Sequence, residues 1–501
     1  MKRIILIAIL LVLGLGLNAQ HKQTVLMENL PKKAEFFTLE GEYGQDFIYI
    51  HDAESSEHGN SKDAILCLDK QGNLVREISV VHPKMSIIGF IEGENELNAI
   101  YRKQVKRTDS IIIASIDKAQ DHYNWAPKGV MGSRSKDVDD VTFSVSPDGK
   151  KFLVCQYFKK KKNYKVDIMV FNVDGSLDYK KHVESQNQDR YGGKNIWAYV
   201  ANDGSAYFYY VSNNCTYLHR INHDEVLAEK LLDPFPYQGV VTKRGDLMIL
   251  KTSNTQSWVM GYNVAKKEFF RDDTLIPENF INNSWMKSVC AIKGKIGIIN
   301  AFTFPLGDAS GTLTCDWSKQ DKDQIVKTKT TTSKDKNGKI RTYTTNEVET
   351  ILAVTFRGNI TSVTYNMEEE NFIHDTLFKR QMISNKTEYG TGLFDSAYDK
   401  FAYRAFSQGN QVRVYYIDNY MNYRNDGTED SFGKFTFMQQ NPCWATATLT
   451  SDGMFSPRKM AVKNAHEDFI LERVLMGYDN YWVILTQGDT RRKSHIGVFR
   501  Y

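Results

Sequence analysis

The 501-residue sequence predicts an all-β fold in which one four-stranded antiparallel unit is written many times over, and three observations predict it. Stretches of alternating apolar residues recur along the chain, each closed by an Asp, Asn or Gly turn. Those turns return at a nearly regular step. The composition is rich in strand formers, with 27 Tyr and 27 Phe against only 10 Pro. A content of 41 % hydrophobic and 25 % charged residues is that of an ordinary globular chain. A net charge of +4, from 64 basic and 60 acidic side chains, is far below that of a dedicated nucleic-acid binder.

The chain begins with Lys2 and Arg3, continues through an apolar run at 4–17, and reaches Asn18-Ala19-Gln20 with small Ala19 at the cleavage position. This is the pattern of a secretory signal over residues 1–19. The run is about 14 residues, short of the ~20 that span a bilayer. No Cys lies near the cleavage point, which argues against a lipid anchor. Without Lys2 and Arg3 the charge becomes 62 − 60 = +2. Residues 20–501 are therefore expected to form one exported domain without a transmembrane segment.

Hairpins follow in order: 65–78 through Asp69 and Gly72, 168–183 through Asn172, Asp174 and Gly175, and 217–232 through Asn222. Then come 258–275 through Asn263, 361–378 through Asn366, and 412–423 through Asp418, with weaker copies at Asp117 and Asp316. From Asp69 these turn residues fall at 117, 172, 222, 263, 316, 366 and 418, in steps of 41 to 55. A second series interleaves at Gly93, Gly149, Gly204, Gly245, Gly294 and Gly453. Ser146-Pro147-Asp148-Gly149, Asn202-Asp203-Gly204 and Ser451-Asp452-Gly453 tolerate the left-handed conformations of tight turns. Two hairpin turns per ~50 residues give four strands per repeat, the arithmetic of a β-propeller blade. Seven or eight blades are expected. The terminal strand at 496–501 is expected to pair with residues 24–27 and close the ring.

Phe143-Ser144-Val145-Ser146-Pro147-Asp148-Gly149-Lys150-Lys151-Phe152-Leu153-Val154, followed by Asp167-Ile168-Met169-Val170-Phe171-Asn172-Val173-Asp174-Gly175, resembles the WD40-like repeat of TolB-type propellers. The resemblance covers about 35 residues in one blade and is degenerate elsewhere. It implies a fold shared by binding proteins, peptidase accessory domains and envelope scaffolds. It carries over no catalytic residue, because the matching positions are turn and strand positions.

Near Asp316 the pattern is interrupted. Residues 324–348 are Thr-rich and polar around Asn337-Gly338, a hairpin without core residues that is expected to project from a blade. Lys327, Lys329, Lys334, Lys336, Lys339 and Arg341 concentrate positive charge there, as the four lysines at 159–162 do between two strands of the best blade. Such runs suit an anionic glycan or surface, or simply keep a hairpin tip solvated.

The sequence carries few motifs with chemistry of their own. There is no nucleophile elbow, zinc-peptidase helix, Walker loop, dinucleotide fingerprint or complete EF-hand loop. His219 and His223 straddle a strand and a turn, where a spacing of four separates the rings. Asp137, Asp139 and Asp140 read as a solvated loop. No metal or cofactor is expected. The six cysteines lack metal-ligand spacing, and several sit in apolar strand-like runs as small buried hydrophobes.

The best candidate ligand-binding residues lie where the chain enters the first strand of a blade, since propellers bind where those connections crowd around the channel. Arg190, Tyr191, Asn195 and Trp197 form one such segment, Asn283 and Trp285 a second, and Trp444, after Asn441-Pro442, a third. Tyr237 and Tyr389 hold comparable places. Flat aromatics with amide neighbours suit sugar rings or partner side chains. The same tryptophans could instead fill the wedges between blades. The expected function is that of an exported binding or scaffold protein of a Gram-negative-like envelope, monomeric or part of a complex, recognising a protein or glycan partner. The alternative is a glycan- or peptide-processing enzyme with residues gathered from several blades.

Overall fold

The computed structural model describes the backbone of all strands named below and, with side chains, most of residues 96–115, 141–183, 196–277, 301–317, 329–345, 359–378, 403–424 and 443–460. Strand β1 (Gln23–Met27) precedes the first sheet. Blade 1 has three described strands, β2 (Phe47–Asp52), β3 (Asp63–Asp69) and β4 (Leu74–Val80). Blade 2 is the meander β5 (Ser86–Glu92), β6 (Glu96–Val105), β7 (Thr108–Asp117) and β8 (Tyr123–Arg134). Blade 3 is β9 (Val138–Val145), β10 (Lys151–Lys160), β11 (Asn163–Asn172) and β12 (Leu177–Ser185). Blade 4 is β13 (Ile196–Val200), β14 (Ala206–Ser212), β15 (Cys215–Ile221) and β16 (Val226–Leu231). Blade 5 is β17 (Gly239–Val241), β18 (Leu247–Thr252), β19 (Gln256–Asn263) and β20 (Glu268–Leu275).

Blade 6 contains two very long strands. It runs β21 (Ile296–Leu306), β22 (Ser310–Lys334), β23 (Ile340–Asn366) and β24 (Asn371–Leu377), and β25 (Gln381–Ser384) adds to β23 at Val354–Arg357. Blade 7 is β26 (Arg404–Gln408), β27 (Gln411–Asn419), β28 (Pro442–Leu449) and β29 (Lys459–Lys463). Blade 8 is β30 (Ile470–Gly477), β31 (Tyr481–Gln487) and β32 (Ser494–Arg500), completed by β1. The β1–β32 ladder joins Thr24 to Val498 and Val25 to Gly497, so the first described strand belongs to the last sheet.

First strands lie against first strands in sequence: β5 on β9, β9 on β13, β13 on β17, β17 on β21, β21 on β26 and β26 on β30. Eight antiparallel sheets arranged with their first strands innermost make a β-propeller.

The core is divided into wedges between neighbouring sheets. Leu153, Ile168 and Val170 of blade 3 pack on Val200 and Phe208 of blade 4, and Tyr209 and Leu218 of blade 4 on Leu247, Ile249 and Met260 of blade 5. Met248 and Leu250 meet Leu313, Trp317 and Val363, and Ile360 and Leu377 meet Val414 and Tyr416. A sheet covered on both faces needs apolar residues at both parities, which is why residues 152–157 are buried without a break. Each fully buried large side chain contributes roughly 1.5–3 kcal/mol of transfer free energy. Cys155, Cys215, Cys315 and Cys443 are buried free thiols in these layers.

Two expected turn residues are not turns. Asp316 is buried within β22, and Asp418 lies near the end of β27 at 4 % exposure. The third-to-fourth-strand turns fall at Asp69, Asp117, Asn172, Asn222, Asn263 and Asn366, and then at residues 450–453. The interval 366 − 263 = 103 is doubled because the hairpin of β22 and β23 is inserted in blade 6. The next interval is lengthened by residues 420–441, between β27 and β28. Asp316 and Asp418 sit by coincidence near the middle of those two gaps.

Because strands alternate in direction, the ring has two kinds of end. First-to-second and third-to-fourth turns share one, here the turn end. Second-to-third connections and the links between blades share the other, the arm end.

Candidate functional site

At the turn end, short loops tie each blade to the next. In four of them the glycine N–H donates to the carbonyl three residues back at 2.9 Å: Gly149 to Ser146, Gly204 to Ala201, Gly245 to Thr242 and Gly453 to Thr450. Gly204 has a φ of 86°, and a Cβ there would meet the Asp178 carboxylate at 3.1 Å. The side chains then cross between blades. Asn202 accepts from the Asp148 N–H at 3.0 Å and donates to the Lys243 carbonyl at 2.8 Å. The Tyr179 hydroxyl donates to the Gly204 carbonyl and the Tyr207 hydroxyl to the Gly245 carbonyl, both at 2.8 Å. Burial pushes both phenols well above their ordinary range. The Arg244 N–H donates to the Asp308 carbonyl, and Lys266 pairs with Glu370. Lys243 of blade 5 reaches past blade 6 to hydrogen-bond Asn410 of blade 7, a bridge across this end of the ring.

The innermost strands are partly exposed along consecutive residues, 141–145 on β9, 301–305 on β21 and 404–406 on β26, as strands bordering a channel should be. Among their described side chains, with those of β5, β13 and β17, Arg404 is the only charged one. The rest are aliphatic, aromatic, Ser or Thr. Towards the arm end of blade 4, Trp197 stacks on Tyr209 with centroids 5.0 Å apart and planes at 19°, and Tyr199 stacks on the same ring at 6.2 Å. Tyr209 is wholly buried and forms the floor. The Tyr199 hydroxyl accepts from the Gly239 N–H at 3.0 Å, which ties blade 4 to blade 5. Trp258 packs against the same wedge, with the Lys251 ammonium 5.1 Å from its ring. The Lys251 ammonium also donates to the Pro234 carbonyl on the link between blades.

Of the sequence-predicted site residues, the structure places Trp197 on β13 as the partly exposed upper member of this stack. It packs against the wedge and stays partly exposed. Trp444 differs from expectation. It lies on β28, the third strand of blade 7, with 2 % exposure, so it borders neither a first strand nor a channel loop. The apolar run of 443–447 is a central strand between two covered faces, and Asn441-Pro442 precedes that strand rather than a first one. Arg190, Tyr191, Asn195, Tyr237, Asn283, Trp285 and Tyr389 lie outside the described residues, as do the side chains of Asp137, Asp139 and Asp140.

The chain is similar to several solved structures at low identity. The WD40 domain of SCAP from fission yeast matches at 8 % identity and a TM-score of 0.38, over 96 % of this chain and 98 % of that one. The polysaccharide lyase Uly1 matches at 9 % and 0.37, over 93 % and 90 %. Prolyl oligopeptidase B from Galerina marginata matches at 11 % and 0.33, over 80 % of this chain and 57 % of that one. No family model matches the chain, and no curated protein matches its sequence.

Two polar clusters have no motif that marks them in the sequence. Asp418 accepts from Asn422 at 2.9 Å, from the Tyr423 hydroxyl at 2.7 Å and from Arg458 at 3.2 Å. Arg458, 3 % exposed, also donates to the Phe378 carbonyl at 3.1 Å. This buried ion pair fixes the start of the long β27–β28 connection at the arm end. Its signal was the Asp that directly follows the apolar stretch Val414-Tyr415-Tyr416-Ile417.

Ser257 and His374 are 3.0 Å apart, the distance of a nucleophile and its base. Ser257, however, is fully buried between blades 5 and 6, and burial holds His374 neutral with its pKa lowered to about 4. The pair is a strut out of reach of substrate. His219 stacks on Phe208 at 4.2 Å, its pKa pulled by burial to about 4, while His223 is exposed and hydrogen-bonds Asp178. The two imidazoles therefore serve different contacts and do not form a metal pair. Cys315, beneath the long hairpin, is a thiol that burial pushes up to about 12, too high for a nucleophile at neutral pH.

Proposed function

We propose that this chain is an exported binding or scaffold protein of a bacterial envelope, a TolB-type ring that recognises a protein or glycan partner at its arm end. The observation that carries the reading is the division of labour between the ends. The turn end is consumed by contacts between blades and bridged from Lys243 to Asn410. The arm end carries the partly exposed Trp197 on a rigid aromatic floor and the long second-to-third connections. Export is supported by Lys2 and Arg3, the apolar run at 4–17 and Ala19. The TolB-type assignment is supported by the turn residues of blade 3, including the hydrogen bond from Ser146 Oγ to Asp148 at 2.7 Å.

The test is affinity purification of the tagged protein from crosslinked native envelopes, with mass spectrometry of its partners and of its mature N-terminus. The expected result is a mature chain beginning at Gln20 and a stoichiometric partner. Trp197→Ala should reduce capture of that partner while lowering stability by about 2 kcal/mol, the scale for a partly buried aromatic. An unprocessed N-terminus would overturn export. Undiminished capture by the Trp197 variant would remove that residue from the site.

A further inference from the structure

Blade 6 sends its two central strands far beyond the sheet. β21 pairs with β22 as far as Lys319, and β24 pairs with β23 only from Ile360 onward. From Gln320–Thr355 to Lys334–Ile340 the β22–β23 ladder continues, flanked by β25 alone and only at its base. At roughly 3.3 Å per residue this arm is about 50 Å long. Its described outer residues, 329–334 and 336–345, are exposed on both faces, so no packing explains their identity.

The register sorts them into two unlike faces. One holds the pairs Thr330–Thr344, Thr332–Thr342 and Lys334–Ile340. The other holds Lys329–Thr345, Thr331–Tyr343 and Ser333–Arg341. On this second face Arg341 stands two residues from Tyr343, about 7 Å along the strand, and Lys329 lies diagonally across on its other side. Tyr343 is 54 % exposed, an aromatic on the arm with a cation on either side. Between residues 327 and 345 the sequence has six basic residues, Lys327, Lys329, Lys334, Lys336, Lys339 and Arg341, against the single acid Asp335.

We propose that the Lys329–Tyr343–Arg341 face of this arm binds an acidic polysaccharide, a chain of uronate sugars. A phenol ring offers a flat platform for the apolar face of a pyranose. A guanidinium and an ammonium about one sugar away on either side meet the carboxylates of its neighbours, and Arg can do so with two hydrogen bonds. Thr331, Ser333 and Thr345 supply hydroxyls between them. An acidic protein is a poorer fit, because the ribbon has no concave apolar pocket to receive a hot-spot side chain. Strand addition is disfavoured as well, since lysine-rich edges oppose it. The lysines at the end of β10, Lys159 and Lys160, belong to another second-to-third connection and thus to the same end of the ring.

The proposal is a second binding surface at the arm end, separate from the one that carries Trp197, and it rests on the residues of the arm alone. Its test is affinity electrophoresis of the intact mature protein in gels containing alginate, with dextran as the neutral polymer and poly-L-glutamate as the acidic polypeptide. Alginate should retard the wild type and dextran should not. Lys329→Glu with Arg341→Glu should weaken retardation at least about tenfold, and Tyr343→Ala about fivefold, with unchanged melting temperatures. No retardation by alginate, or equal retardation of the charge-reversed variant, would overturn the proposal. So would poly-L-glutamate retarding the wild type as strongly as alginate does. The charge-reversed variant should still capture the envelope partners of the wild type, so loss of envelope partners and loss of polysaccharide binding are separately visible.

Discussion

The turn end of the ring and the arm of blade 6 are built from the same kind of antiparallel hairpin and solve opposite problems. At the turn end each connection is short, and its side chains reach into the next blade. Asn202 bridges three blades, Tyr179 and Tyr207 cap neighbouring glycine carbonyls, and Lys243 crosses to Asn410. In the outer arm no described side chain is buried. Residues that hold the ring together are thus spent on each other, and the exposed residues of the arm are left for recognition. A hairpin of Thr and Lys can be long because two-sided solvation asks for no core and its charged edges resist aggregation.

The sharpest break in that contrast is inside the sheets. At Gly261 on β19 a Cβ would lie 1.8 Å from the Leu247 carbonyl oxygen. Gly261→Ala is expected to cost more than about 4 kcal/mol and yield little folded protein, read by chemical denaturation. Removing the buried carboxylate comes next. Asp418→Ala strands Arg458 in the wedge between blades 6 and 7 and should cost about 3–5 kcal/mol.

A smaller effect follows from acid. His219 and His374 are held neutral by burial, with pKa values lowered from 6.5 to about 4. Between those values the unfolded chain binds protons that the folded chain refuses, so stability falls as pH drops from about 6.5 to 4. Thermal melts across that range should show the fall. His219→Phe should flatten it and be neutral or stabilising at pH 5, because both buried ring nitrogens lack hydrogen bonds among the described residues. A variant that keeps the full pH slope would assign the effect to other groups.

The repeated sheet was legible because a blade covered on both faces demands dense apolar runs, and its tight turns demand Gly, Asn and Asp. Closure by residues 24–27 was legible for the same reason, as a strand without a hairpin partner of its own. The position of each repeat was not. A periodic step can place an Asp at 316 or 418 without showing that the sheet neighbours bury it, and insertions in blades 6 and 7 let two false steps pass. The candidate site was harder still. Trp197 and Trp444 have similar loop residues before them, yet one begins a first strand and the other enters a third. Only the pairing of β28 with β27 and β29 tells them apart. Trp258 stayed hidden inside a strand pattern, because its neighbourhood is formed with the preceding blade, which alternation along one strand does not show.

The contrast between a ring held by its turn end and an arm reserved for recognition is tested most directly by deleting residues 325–345. This joins Gln324 to Asn346 and leaves a four-residue turn above the Gln324–Thr350 pair. The expected result is a melting temperature within about 2 °C of the wild type, since exposed residues contribute within ~0.5 kcal/mol, together with complete loss of alginate retardation. A destabilised ring, or an armless ring that still binds the polymer, would contradict it.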